Sequence, residues 1–594
     1  MFRLAKYLTH FKMEVIVGPF FKLLEAIFEL IVPLVMASII DVGIKNGDKA
    51  YILQKGGILL LLGILGLVFA LICQYSAARA SQGVGTMLRN DLYAHINFLS
   101  HAEIDQLGAN SLTTVITNDV NQIQIAVAML IRLIVRAPFL VIGATVMSMM
   151  LDLKLSLIFI LIAPLVVLLF FAIMKKSIPF YRVRQTVLDK ISLLTRENLT
   201  GARVIRAFSG QEKEERRFEK ANEDAAQIAI RVGKLSAVLN PGTFVLMNTA
   251  IIAIIWFGGL RVDSGGLTQG EVIALVNYMM QISLALVVVA NLVVIFTKAS
   301  ASANRINHIF DTNTSLIEGK LSEVPQQEGS SLTEESYDLT NRNKRSPLFS
   351  FRKVAFAYPA SGENVLEDIT LDIYAGEVIG IIGGTGSGKS TLVNLLPRFY
   401  DVTQGEIRMD GILLKDYTFD ALHKQFGIAP QEAVLFYGSI YENLRWSKEN
   451  ATEEEMKKAV EIAQAKEFVE KLSEKYDTKV MQGGKNLSGG QRQRLTIARA
   501  LVGNPKILIL DDCSSALDYT TDAALQKALR QNCKGMTIIM VSQRAGTMKH
   551  ADKIIVMEDG KIVGIGKHEE LVDTCDVYKE ICYSQLSAEE VNRR

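Results

Sequence analysis

The chain of 594 residues is several times the usual single-domain length, and Lys+Arg 64 against Asp+Glu 62 leave a net charge of +2. That balance excludes the bulk electrostatics of a dedicated nucleic-acid binder, and no nucleic-acid partner is expected. A hydrophobic content of 49% excludes disordered, collagenous and small disulfide-scaffold classes, while a mean hydropathy of +0.24 points to membrane segments joined to a soluble part.

A helix needs about 20 apolar residues to cross the hydrocarbon core. The stretches 56–78 and 155–174 hold no charged residue over 23 and 20 positions, and 235–260 and 272–297 hold none over 26 each. Two further apolar runs carry charges: 15–40 with Lys22, Glu25 and Glu29, and 120–151 with Arg132 and Arg136. Six spans are predicted within a membrane domain of residues 1–310. The basic N-terminus is not followed by a small-residue cleavage site, so the first span is not expected to be a removable signal peptide. The connections 79–119 and 175–234 are long, rich in helix formers, and basic at Arg79, Arg89, Lys175, Lys176, Arg203, Arg206, Arg216 and Arg217. By the positive-inside tendency they lie in the cytosol, as extensions of the membrane helices. The N-terminus and the soluble half are then expected on the cytosolic side of the cytoplasmic membrane, which the chain crosses in several passes.

Residues 311–347 are polar and predict a linker, whose basic end is Arg342, Lys344 and Arg345. From 348 to 594, short apolar runs (378–382, 507–510, 538–541, 554–557) alternate with helical patterns, which predicts an α/β domain with a largely parallel sheet. The five cysteines (Cys73, Cys513, Cys533, Cys575, Cys582) lack metal-ligand spacing and are expected as reduced thiols.

Within the soluble half, Gly383-Gly384-Thr385-Gly386-Ser387-Gly388-Lys389-Ser390 follows an apolar strand and opens a helical run from Thr391. Glycines let such a loop curl its N–H groups around phosphates, with Lys389 reaching the outer phosphates and the Ser390 hydroxyl facing Mg²⁺. Further on, Ile507-Leu-Ile-Leu-Asp511 is a buried strand ending in a carboxylate suited to hold Mg²⁺. Between them stands Leu487-Ser488-Gly489-Gly490-Gln491. Placed between a P-loop and a Walker B strand, this segment resembles the signature of ABC ATPases. With six preceding spans, the whole chain resembles a half-size ABC exporter of the multidrug type.

The resemblance implies an ATPase coupled to transport, with ATP and Mg²⁺ bound. In that family two chains dimerise, so that ATP lies between one chain's P-loop and the other's signature, here Ser488, Gly489, Gly490 and Gln491. It assigns Tyr358 to adenine stacking, Gln431 to a loop that senses Mg²⁺ alongside Ser390 and Asp511, and Ser515 and Asp518 to the D-loop. Three positions depart from the pattern. The base, a Glu in the family, is Asp512, whose carboxylate is withdrawn by about 1.5 Å, a displacement able to cost on the order of a hundredfold in rate. The switch His is Gln543, which hydrogen-bonds a phosphate but carries no proton or charge for it. An acidic residue usual in the family is Gln482. The Asp512 and Gln543 pair resembles the degenerate-site subunit of heterodimeric bacterial exporters, which implies a partner half-transporter with Glu and His at these positions. Membrane lipid and a small or amphipathic substrate of the drug, lipid or peptide class are the other partners. A homodimeric exporter, or a regulator or channel gated by ATP binding, are the alternatives.

Charge inside a membrane is costly and marks candidate functional residues. Glu25 and Glu29 share a helix face, as do Arg132 and Arg136. They predict either an ion-pair cluster between spans one and three or acids lining a cavity for cationic substrates. Asn277 and Gln281 form a polar pair on the sixth span, suited to a binding pocket or to helix packing.

Overall fold

The structure, a computed structural model, describes residues 2–324, 346–359 and 361–586. It separates into two compact units, Met1–Asn97 with Asn110–Thr312, and Phe98–Ala109 with Asn313–Arg594.

The first unit is built from helices, and among the described residues six helical segments are long and apolar enough to cross a membrane: Arg3–Ile44, Lys49–Phe98, Ala109–Leu151, Leu153–Thr200, Pro241–Asp263 and Gln269–Asp311. Lys49–Phe98 has 50 residues and Leu153–Thr200 has 48. At 1.5 Å per residue each is about 70 Å long, more than twice the roughly 30 Å of hydrocarbon, so these helices continue far beyond a bilayer. Many of their leucines, including Leu60, Leu67, Leu71, Leu161 and Leu168, are exposed, as lipid-facing side chains are. Two spans differ from the sequence expectation. The run 120–151 is not one helix but two, Val120–Leu133 and Arg136–Leu151, and the fifth span begins at Leu239 rather than 235. In both places a proline supplies the reason: Pro138 and Pro241 have no N–H to give the carbonyls of Ile134 and Ala237 four residues earlier.

The unit's core is centred on Phe159, Ile254, Leu275 and Tyr278, all fully buried, with the Tyr278 hydroxyl donating to the Leu30 carbonyl at 2.7 Å. Buried carboxylates, Asp152 and Asp119 among them, tie its helices together. Asp152 caps Leu153–Thr200 through the N–H groups of Lys154 and Leu155 and also accepts from the Arg261 guanidinium. Asp119 accepts from Ser302 Oγ at 2.8 Å and from Arg305 Nε at 2.7 Å.

The second unit holds two main sheets. The strands β1 (Phe349–Phe356), β2 (Leu366–Ile373), β4 (Gln404–Met409) and β5 (Ile412–Leu413) form an antiparallel sheet in the order β2-β1-β4-β5. The larger sheet runs β12-β11-β3-β10-β9-β6, with β3 at Val378–Gly383, β6 at Phe426–Ala429, β9 at Ile507–Asp511, β10 at Thr537–Val541, β11 at Lys553–Glu558 and β12 at Lys561–Gly566. Every pairing in it is parallel except that of the edge strand β12. A short pair, β7 (Gly438–Ser439) and β8 (Lys479–Val480), stands apart. This is the α/β domain the apolar runs predict.

The boundary at residue 310 needs two corrections. The helix His101–Leu107, which lies inside 1–310, belongs to the second unit. Ser100 and Glu103 close a capping box on it, Glu103 also accepts from the Ser315 N–H, the Tyr400 hydroxyl donates to Asp105 at 2.9 Å, and the His101 ring lies 4.7 Å from Phe399. The start of the expected linker is likewise fixed, since Gly319, Lys320 and Leu321 donate their N–H groups to the carbonyls of Tyr417 and Asp416. The remainder of that linker, with Arg342, Lys344 and Arg345, lies outside the described residues.

The Asp119–Arg305 pair is unequal: the Asp119 side chain is 4% exposed and that of Arg305 is 56% exposed. Removing the exposed partner strands a buried carboxylate, whereas neutralising the buried one leaves an arginine free to reach water. Arg305→Ala should therefore lower stability by about 2 kcal/mol and Asp119→Asn by less than half of that. Thermal unfolding of the purified protein in detergent checks the order, and a larger loss for Asp119→Asn would contradict it.

Candidate functional site

The P-loop begins where β3 ends. Gly386 and Gly388 take left-handed backbone, φ 83° and 91°, and a Cβ at Gly388 would stand 2.7 Å from Leu366, so only glycine fits there. Gly384, Thr385 and Gly386 are exposed, with nothing within 4 Å of a Cβ placed on Gly384 or Gly386, while Ser387, Gly388 and Lys389 are buried beneath them. The loop leads into the helix Lys389–Leu395. The Lys389 ammonium is held by the carbonyls of Gly383 (3.0 Å) and Gly384 and by Ser387 Oγ (3.3 Å).

β10 lies between β3 and β9, pairing Ile381 and Asp511 with Val541. This register brings the P-loop, Asp511, Asp512 and Gln543 to the carboxyl edge of three adjacent parallel strands, where ligands of open α/β sheets bind. Ser390 Oγ donates to Asp511 at 2.9 Å. Ser390, Gln431 and Asp511 line one cleft of about 590 Å³, so the three residues expected around Mg²⁺ are brought together. Asp512 is buried with φ 46°, its N–H bonded to the Val541 carbonyl and its own carbonyl accepting from Ser515 Oγ at 2.8 Å. Gln543 is exposed, and its carbonyl accepts from Gln585. Tyr358 is half-buried at the edge of the P-loop helix: its hydroxyl lies 3.1 Å from Thr391 Oγ1, and its ring meets Phe356 and Tyr400 edge-on.

The signature stands apart from this cleft, whose lining includes none of its residues. Ser488 caps the helix Gly489–Val502 in a capping box with Gln491. Gly490 is packed, with the Ala516 carbonyl 3.0 Å from a would-be Cβ, whereas nothing lies within 4 Å of one at Gly489. The exposed Ser488 and Gly489 thus present the helix N-terminus outward. Beside it Asp518 caps the helix Tyr519–Asn532 by accepting from the Thr521 N–H at 2.8 Å. Arg544 was not singled out from the sequence, although it directly follows Gln543. It donates to the Leu517 carbonyl at 3.0 Å and lies 4.7 Å over the Tyr519 ring, joining the Gln543 loop to the D-loop.

Of the membrane charges, Arg136 pairs with Glu29 at 2.5 Å, but Glu25 pairs with Lys22 on its own helix at 2.7 Å. Arg132 enters no ion pair among the described residues. Lys22 sits three residues before Glu25 and reaches it without crossing helices. Gln281 donates to the Glu29 carbonyl at 2.9 Å, and Asn277 donates to the Ile273 carbonyl of its own helix at 3.0 Å. Glu29, Arg136 and Gln281 therefore form one polar cluster that Glu25, Arg132 and Asn277 do not join.

Residues 15–286 match the ABC transporter transmembrane region and residues 366–515 the ABC transporter family. An uncharacterised ABC transporter ATP-binding protein of Mycobacterium tuberculosis is 36% identical over 573 residues, covering 96% of this chain and 95% of the relative. The chain belongs to the ABC transporter family. It is a half-size ABC exporter with its membrane and ATPase domains in one polypeptide, and an ATPase coupled to transport. An ATP-dependent lipid A-core flippase of Hahella chejuensis is 33% identical over 524 residues, covering 86% of this exporter and 85% of the relative. The fold matches a bacterial Atm1-family ABC exporter with ATP bound, at a TM-score of 0.79 and 23% identity over 97% of this chain and 98% of that one.

Burial pushes the carboxyls of Asp511 and Asp512 above the ordinary aspartate range, opposed by the Lys389 ammonium, and burial pushes Lys389 below the ordinary lysine range. An acid whose folded-state value exceeds its unfolded value near about 3.9 stabilises the fold below that pH, and the contribution is lost as pH rises through the folded value. In the nucleotide-free exporter at pH 7.5, Asp511→Asn should accordingly raise the unfolding temperature by roughly 2–4 °C. The gain should shrink as pH falls from 7.5 toward the ordinary aspartate range. Unfolding scans across that range test it, and a destabilised variant at pH 7.5 would refute it.

Proposed function

We propose that this exporter half works in a heterodimer, binding ATP on its own P-loop in a weakly hydrolysing site and lending its signature to a strongly hydrolysing site on the partner. The observation that carries the proposal is the pair Asp512 and Gln543 at the base and switch positions. Asp512 is short, and its left-handed backbone fixes where that short side chain starts. Gln543 adds no charge to the developing negative charge of a phosphoryl transfer. The partner then carries Glu and His at the matching positions.

Ser390, Asp511 and Gln431 offer hard oxygen donors around one cleft, and burial of Asp511 leaves a carboxylate that gains from a cation; this set fits Mg²⁺. Mg²⁺ bound there would neutralise phosphate charge. The chain's own groups supply the rest. Lys389 faces the outer phosphates, the glycines of the loop admit them, and Tyr358 offers a ring face to the base. Ser488 and Gly489 complete the partner's site from the open end of their helix.

The substrate is a small or amphipathic molecule, a class that suits a family whose relatives include a lipid A-core flippase. The basic connections 79–119 and 175–234 support an ATPase domain on the inner side of the cytoplasmic membrane.

Expressed alone, the chain should bind ATP and hydrolyse it slowly; brisk turnover by a verified homodimer would end the degenerate-site proposal. In the assembled complex, Gly489→Asp should reduce turnover by about a hundredfold or more, because a carboxylate there repels the partner-bound phosphate and keeps the positioned Ser488 and backbone donors from it. A Cβ at Gly489 meets nothing within 4 Å in this chain, so the substitution is accommodated there without a clash at Cβ. Asp512→Asn should spare most turnover, and Lys389→Ala should weaken ATP binding and slow the cycle. Steady-state ATPase rates of the three variants side by side decide it: a dead Asp512→Asn beside an active Gly489→Asp would reverse the assignment.

A further inference from the structure

The helix Asp576–Gln585 is seated in the core of the ATPase unit, where Tyr578 and Cys582 are fully buried and the Tyr578 hydroxyl lies 2.8 Å from His568 Nδ1. Its last residue, Gln585, is exposed, and its side-chain amide bonds the backbone on both sides of Arg544. Nε2 donates to the Gln543 carbonyl at 2.8 Å, and Oε1 accepts from the Ala545 N–H at 2.9 Å. Turning the amide over would set oxygen against oxygen and N–H against N–H, so the two bonds fix its orientation. Ala545 is fully buried and opens the helix Ala545–Met548, and the first N–H groups of a helix have no partner within it. Gln585 supplies that partner from another element. The neighbouring residues have their own anchors. The Ser542 N–H donates to the Ile381 carbonyl at 3.1 Å, Ser542 Oγ accepts from the Arg544 N–H at 3.0 Å, and the Arg544 guanidinium donates to the Leu517 carbonyl at 3.0 Å. The peptide between Gln543 and Arg544 is thus held at its carbonyl by Gln585 and at its N–H by Ser542.

We propose that Gln585 is a positioning residue for Gln543, holding the backbone so that the Gln543 amide meets the outermost phosphate of ATP on this chain's P-loop. The inference rests on the reading of Gln543 as the switch position given above, and it adds the residue that sets where the switch stands. Strand pairing ends at Val541, so the sheet does not fix the peptide that follows Gln543. A hydrogen bond to phosphate weakens steeply with misalignment, and freeing one end of that peptide misaligns it. ADP lacks the outermost phosphate, so the clamp acts on ATP and not on ADP. Because Gln585 is exposed, its replacement opens no cavity in the core.

The test uses the transporter purified with its partner chain in lipid nanodiscs. A radiolabelled, photoreactive ATP analogue is crosslinked on ice, the two chains are separated by electrophoresis, and the label on this chain is competed with ATP and with ADP. Gln585→Leu should weaken ATP about tenfold and leave ADP unchanged. Gln543→Ala should do the same, and adding Gln585→Leu to it should cost nothing more. Gln585→Glu keeps the bond from the Ala545 N–H but sets an oxygen against the Gln543 carbonyl. It should match Gln585→Leu, and it keeps the test decisive if Gln585→Leu does not fold. Variants at Gln585 that weaken ATP and ADP alike, that leave ATP binding unchanged, or that weaken ATP further in the Gln543→Ala background overturn the proposal. The expected loss of ATP affinity on a chain whose own site hydrolyses ATP briskly upholds the positioning role and counts against the weakly hydrolysing site.

Discussion

The parallel register of β3, β10 and β9 is the constraint from which the ATPase chemistry follows. Because Ile381 and Asp511 both pair with Val541, the P-loop, the Asp511–Asp512 pair and Gln543 leave the sheet at the same height. Of these groups Asp511 lines the cleft with Ser390 and Gln431, while Asp512 and Gln543 stand beside it on the same edge of the sheet. The same register brings two carboxyls and an ammonium into a small buried space, where each alters the others' protonation. A site of this kind is costly to the empty protein and favourable to whatever neutralises it, and stability is accordingly traded for readiness to bind.

That edge of the sheet was legible in the sequence because phosphate binding demands a particular backbone at particular residues. Gly388 admits no side chain, Ser488 must cap a helix, and a strand must end at Asp511. The antiparallel sheet was not legible, since β4 and β5 are short and their exposed faces carry little alternation. The helix His101–Leu107 escaped for a different reason. Its seven residues are too few to show periodicity, and what assigns it to the second unit is contact with Phe399 and Tyr400, some three hundred positions away. Its capping box, Ser100 with Glu103, was the one local signal on offer.

In the membrane unit, composition announced the spans but not how charges choose partners. Four charged residues on two matched faces suggested one cluster, and one cross-helix pair forms, because Lys22 takes Glu25 locally. Proline settles the rest. Pro33 has no N–H for the Glu29 carbonyl four residues earlier, which recruits Gln281 instead, and Pro138 accompanies the break that ends just before Arg136. The breaks in hydrogen bonding, rather than the hydrophobic runs, place polar groups at depth.

The membership of Phe98–Ala109 in the ATPase unit bears on how this protein is divided for study. A fragment excised from Asn313 onward would retain every nucleotide motif, yet it would lack the ring that covers Phe399 and the carboxylate that accepts from the Tyr400 hydroxyl. Tyr400 in turn packs edge-on against Tyr358 beside the P-loop helix. Nucleotide affinities measured on such a fragment would describe a binding face missing one of its supports, and they would differ from those of the intact chain for reasons that lie in the cut and not in the membrane.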